Sequence, residues 1–194
     1  MSERVWSRTV EQLLRGAGST DPTPGSGSAA AVAGALGISL VRKAVTITGE
    51  ADALVDRADA LLERAGQAAD ADVVAFGALI DARGTPEDDD GQRAAREDAL
   101  ATALIAATEA PLDLLEVLVD ALAVAVDAEP LVKQELVSDV LAGADLVRGA
   151  ARAALRAVDL DLGALDDADA GEAAPLRARR DACVAALEQP TSLD

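Results

Sequence analysis

A chain that must build its core almost without aromatic side chains has few architectures open to it. Half of this sequence is apolar, yet it contains one Trp, one Phe and no Tyr. Ala, Leu and Val must therefore fill the interior. Alanine and leucine are the best helix formers, whereas strand-rich domains draw on β-branched and aromatic residues. The expectation is an all-α protein, a single helical bundle of about six to seven helices in one domain spanning the 194 residues. A domain of this size buries about 70% of its extended-chain surface.

Punctuation along the chain divides it into helices. A first helix is expected from Ser2 to about Leu14, stopped by Gly16-Ala17-Gly18. The stretch Ser19 to Ser28 holds two prolines and two glycines and continues no helix, and Ser28 stands ready to cap the next one. That second helix, Ala29 to about Thr48, is apolar nearly all round at its start and should be central. Its small residues Ala30, Gly34, Gly37, Val41 and Ala44 form a smooth face that admits a close neighbour. A third helix, Ala51 to Ala82, carries the stripe Leu62, Ala65, Ala69, Phe76 and Ile80. A fourth runs from Gln92 towards Glu109, is interrupted at Pro111, and resumes from Leu112 to Val126. Leu131 to Val158 has two apolar sides, which suits a helix sandwiched between others or one shared between the bundle and a second subunit. Asp166 to Glu172 reads as a loop, and Pro175 to Leu187 as a last helix.

Charge excludes several partners. The formal net charge is −18, from 35 acidic and 17 basic residues, a field that repels nucleic-acid phosphates and anionic membranes. The absence of His removes the usual general base and the commonest metal ligand. The lone Cys183 leaves no disulfide framework or thiolate cluster, and no cofactor is expected. No signal peptide is recognisable after Met1, and the apolar run Ala29 to Val41 is too short for a bilayer, so the cytoplasm is the default.

Three constellations could carry chemistry. The loop Pro24-Gly25-Ser26-Gly27-Ser28 feeds a buried helix, where glycines admit a ligand to the backbone and free N–H groups attract negative charge. It could equally be a tight turn. Asp72 lies on a stripe that should face the core, so it must be paired, protonated or functional. Ser138-Asp139 reads as an N-cap pair or as part of a site. Lys43 and Lys133 are the only lysines. Exposed, they are solubilising charges; buried, they are anion hooks.

These residues together resemble one family. Thr23 to Ser28 followed by an Ala/Gly-rich helix is similar to the Pro-Gly-Gly-Gly-Ser/Ala signature of the formiminotetrahydrofolate cyclodeaminase / methenyltetrahydrofolate cyclohydrolase family. Asp72-Val-Val-Ala-Phe76 resembles its Asp-x-x-Ala-Phe helix, and Ala110-Pro111-Leu112 its Pro-centred junction. Ser138-Asp139 resembles the pair opening its penultimate helix, and Val158 to Leu162 its Val-x-Ile-Asn-Leu. The likeness runs from about residue 5 to residue 188. Ser26 replaces the middle glycine, Val132-Lys133 a Gly-Asn pair, and Asp161 an asparagine.

The resemblance implies an all-helical homodimer working on the N5–N10 one-carbon bridge of tetrahydrofolate. Such an enzyme either hydrolyses the 5,10-methenyl form or cyclises the 5-formimino form with loss of ammonia. Both pass through a tetrahedral carbon beside a cationic amidinium, which a buried carboxylate complements. On that basis Asp72 and Asp139 are the expected catalytic residues. Pro24, Gly25, Ser26, Gly27, Ser28, Phe76, Lys133, Ser138 and Asp161 are the expected substrate contacts. The same fold acting on another cyclic amidine, and a helical dimer that binds without turnover, remain open.

Overall fold

The computed structural model describes residues 4–49, 51–167, 173–189 and 191–193. Those residues hold six α-helices and no strand: α1 (Val10–Ala17), α2 (Ser26–Thr48), α3 (Asp52–Arg83), α4 (Asp90–Ala128), α5 (Val137–Asp167) and α6 (Ala173–Leu187). Helices α2, α3, α4 and α5 form a bundle in which α2 and α4 each pack along α3 and α5 and face each other across the diagonal. Helix α6 lies across α4 and α5. Arg179 fastens it there, reaching Asp113 at 2.6 Å and Glu116 at 2.8 Å on α4.

The core is what the composition requires. Leu112, Leu115 and Leu118 of α4 are fully buried at the centre, surrounded by alanines from every bundle helix. Alanine lets helices approach closely, and the expected small face of α2 shows it. Ala30, Gly34, Gly37, Val41 and Ala44 are all buried. A Cβ at Gly37 would lie 2.5 Å from the Gly143 carbonyl oxygen of α5, so the two backbones touch where they cross. With 23 residues, α2 is long and apolar enough to cross a bilayer, contrary to what the run Ala29 to Val41 suggested. Half of that stretch is buried against its neighbours, as the central helix of a bundle requires.

Several boundaries depart from expectation, each for a local reason. The first helix is in fact a 3₁₀ turn, Val5–Ser7, followed by the separate α1. Thr9 and Gln12 form a reciprocal capping box that starts α1 afresh, with Gln12 N–H donating to Thr9 Oγ1 and Thr9 N–H to Gln12 Oε1. Asp70 pins the 3₁₀ turn by accepting from Val5 N–H and Arg4 Nε, both at 2.8 Å. Helix α4 runs unbroken through the buried Pro111. The packing of Leu112, Leu114 and Leu115 against both neighbours outweighs the loss of one N–H donor, a cost of about 3 kcal/mol. Helix α5 begins only at Val137, after a 3₁₀ turn Gln134–Leu136, and continues to Asp167. The expected loop from Asp166 therefore starts inside a helix, and its positions 168–172 lie outside the described residues.

Candidate active site

The site starts from a helix end that cannot cap itself. Helix α2 opens after Gly25, an extended N-cap residue with no side chain to satisfy the free N–H groups of the first turn. Asp72, from the middle of α3, supplies the missing acceptor. Its Oδ2 accepts from Ser28 N–H at 2.9 Å and from Ser28 Oγ–H at 2.8 Å. Ser28 is wholly buried, with its hydroxyl also 3.4 Å from the Ala69 carbonyl. A Cβ on Gly27 would sit 2.6 Å from the Asp72 carboxyl carbon, so only glycine admits the carboxylate here. The anion rests against the positive end of the α2 dipole. Ser28 is thus the third residue of α2 and not its cap. The chain that Gly27 lets close is this protein's own α3.

A cavity of about 190 Å³ opens beside this contact. The α2 entrance contributes Gly25, Ser26 and Gly27; α3 gives Asp72, Ala75 and Phe76; α4 gives Ala107 and Pro111; α5 gives Ala157, Leu160 and Asp161. Phe76 is 37% exposed, a wall of the cavity and not the core residue its stripe suggested. Asp161 is half-buried and makes no hydrogen bond or ion pair among the described residues. Burial pushes its carboxyl up to about 6, and the charge of Asp72 pushes the same way, while Arg83 partly opposes them.

Six of the expected site residues therefore meet: Gly25, Ser26, Gly27, Asp72, Phe76 and Asp161. Ser28 joins them through Asp72, and Pro24 is buried behind the loop against Gly16. Lys133, Ser138 and Asp139 do not join them within one chain. Asp139 pairs with Lys43 at 2.7 Å, and Lys43 lies sixteen residues beyond Gly27, about 24 Å along α2 at 1.5 Å per residue. Lys133 is exposed and donates to the Ile47 carbonyl at 3.3 Å, near the same end, and Ser138 is exposed. The reason is topological. Because α5 is antiparallel to α2, its first turn adjoins the end of α2 and its last turns adjoin the cavity.

Sequence reasoning missed Pro111, Leu160 and Arg83. Positions 157, 160 and 161 share one side of a helix, as do 72, 76 and 83, so both faces were available as patterns once Asp72 and Asp161 were singled out.

A family model described as "Formiminotransferase-cyclodeaminase" matches residues 9–180. The chain belongs to that family. A methenyltetrahydrofolate cyclohydrolase of Methylorubrum extorquens is 38% identical over 117 residues, a stretch that spans about half of either protein (55% of this chain, 56% of the relative). The crystal structure of formiminotetrahydrofolate cyclodeaminase from Thermotoga maritima superposes with a TM-score of 0.74 at 20% identity, covering 95% of this chain and 96% of that one. Asp161, the residue that the resemblance sets against an asparagine, lines the cavity together with Asp72.

Proposed function

We propose that the cavity beside Asp72 binds a tetrahydrofolate one-carbon derivative and hydrolyses its 5,10-methenyl bridge, or closes a 5-formimino group with release of ammonia. The observation that carries this reading is a carboxylate fixed in the lining of a cavity whose other residues, Asp161 apart, carry no charge, in a chain of this family. The reacting amidinium is cationic, and Asp72 is fixed by Ser28 where that charge is complemented without reorganisation. Most of the lining side chains are small, and Phe76 and Leu160 are the large apolar ones. The chemistry needs water and proton transfer, and neither step calls for a metal or a redox cofactor. The 38% identical cyclohydrolase supports the hydrolytic direction first.

The same reading includes a homodimer working in the cytoplasm. Leu36 and Ile47 on α2, with Leu146 on α5, are exposed large apolar side chains. Ala142 and Gly149 are exposed on α5 as well, and the Lys43–Asp139 ion pair sits between Leu36 and Ile47, so the face offered to a second subunit is apolar with one ion pair in it. Light scattering should give a mass near twice 19.6 kDa, and Leu36→Asp should lower it to one chain. A wild-type mass of one chain refutes the dimer.

The activity is tested by following methenyltetrahydrofolate absorbance with and without the protein, and ammonia release from the formimino form. Wild type should accelerate at least one of them, and folded Asp72→Asn neither. Absence of both activities in the wild type rejects the reading.

A further inference from the structure

The two carboxyl groups of the cavity are not equivalent, and the difference divides the work between them. Asp72 is committed: its Oδ2 already serves both the N–H and the hydroxyl of Ser28, and withdrawing it would leave the first turn of α2 without an acceptor. Asp161 is uncommitted, since it has no hydrogen bond or ion pair among the described residues and faces the same small space. Among the described residues these two are the only titratable groups lining the cavity. We infer that Asp161 is the proton-transfer group of the site, taking a proton from the attacking water and returning it to the departing nitrogen, while Asp72 holds the cationic carbon in place.

This rests on the proposed folate hydrolysis, and its steps balance. The water oxygen bonds to the amidinium carbon, one water proton passes to the Asp161 carboxylate, and the π pair of the C–N bond settles on nitrogen. The carbinol then collapses. One of its two C–N single bonds breaks with its pair on the leaving nitrogen, which takes the proton from Asp161, while the other C–N bond keeps the formyl group. The carbinol O–H proton leaves to bulk water as the carbonyl forms. One substrate cation and one water give a neutral formyl product and one released proton, and Asp161 ends as it began.

The surroundings suit that role. From α3 come Asp72 and Arg83, whose opposite charges act on Asp161 from the same helix. The residues that α2 and α4 bring to the cavity, Gly25 to Gly27, Ala107 and Pro111, carry no charge. The arginines of α6 beside this part of α5 are taken up elsewhere, Arg180 by Asp159 and Arg177 by Asp166. With its carboxyl raised to about 6, Asp161 is an available base at neutral pH and a stronger one than an ordinary aspartate.

The test is the pH profile of kcat and kcat/KM for methenyltetrahydrofolate hydrolysis in wild type, Asp161→Asn and Asp161→Glu, each checked for folding by circular dichroism. Wild-type kcat/KM should fall about tenfold per pH unit as pH drops below about 6, because the base is then protonated. Asp161→Asn should lose about 100-fold or more in kcat and lose that acid limb, with KM little changed. Asp161→Glu should recover part of kcat and restore the limb. If Asp161→Asn keeps the limb, or raises KM at unchanged kcat, Asp161 only binds and the inference is overturned while the function stands. If the wild type hydrolyses no methenyltetrahydrofolate, the functional reading fails, and this inference with it.

Discussion

Replacing Gly27 by alanine should destabilise the protein, the reverse of what its place in a helix predicts. In a helix interior Gly→Ala stabilises by about 1 kcal/mol, an upper bound for the second residue of α2. Here the new methyl group would lie 2.6 Å from the Asp72 carboxyl carbon, well inside van der Waals contact, so the carboxylate must rotate away. Rotation breaks the bonds to Ser28 N–H at 2.9 Å and Ser28 Oγ–H at 2.8 Å. Hydrogen bonds to a charged acceptor contribute about 1.5–3 kcal/mol each, and the released carboxylate regains part of that from water. Set against the helix gain, the net loss should be about 2–4 kcal/mol. Urea unfolding followed by helical circular dichroism measures it directly. The decisive control repeats the substitution in an Asp72→Ala background. With the carboxylate gone the three atoms nearest the methyl group are removed, and Gly27→Ala should become neutral or stabilising. A double-mutant cycle that shows no coupling, or a Gly27→Ala protein at least as stable as wild type, would refute the account of how α2 is capped.

Gly37→Ala should cost about 1–3 kcal/mol by thermal melting, because its methyl group meets the Gly143 carbonyl oxygen, a backbone atom that cannot rotate aside. Asp161→Asn should raise stability at pH 7–8 and lose that advantage as pH falls towards 4. The sign follows from a carboxyl raised to about 6 in the fold against about 3.9 unfolded. Above about pH 6 wild type carries the full cost of a charge that is partly buried and beside Asp72, so the difference in Tm should close between about pH 6 and pH 4. Lys133→Gln should leave folate affinity and its salt dependence unchanged in calorimetric titrations, since Lys133 sits on the Ile47 carbonyl at the far end of α2.

How much of this was legible in the sequence depends on whether the deciding interaction is local. The helical bundle was legible, because an interior of Ala, Leu and Val leaves little choice, and so was the close-packed face of α2. The grouping of the Pro-Gly loop with Asp72, Phe76 and Asp161 was legible through family resemblance. The start of α2 was not. Its acceptor lies 44 residues away on α3, and nothing near Ser26 announces it. Pro111 reads as a break because its missing N–H is a local fact, whereas the packing that carries α4 past it is not. Within one chain Ser138-Asp139 lies at the other end of α2 from the cavity, which could not be read because motif order along the chain says nothing about which end of a helix faces which neighbour. The two directions of α2 and α5 decide that.

The alanine-filled interior has a thermal consequence. Unfolding this chain exposes less apolar area per residue than unfolding a bundle packed with leucine and phenylalanine, and apolar exposure is what raises the heat capacity. The heat-capacity change should therefore fall at or below the low end of the usual ~12–15 cal/mol/K per residue. A smaller value flattens the dependence of stability on temperature. Alanine also has no rotamers to freeze, so ordering this core costs little side-chain entropy at any temperature. The bundle gains modestly from each buried residue and loses little in fixing it, which gives it a shallow stability curve that changes slowly on both heating and cooling.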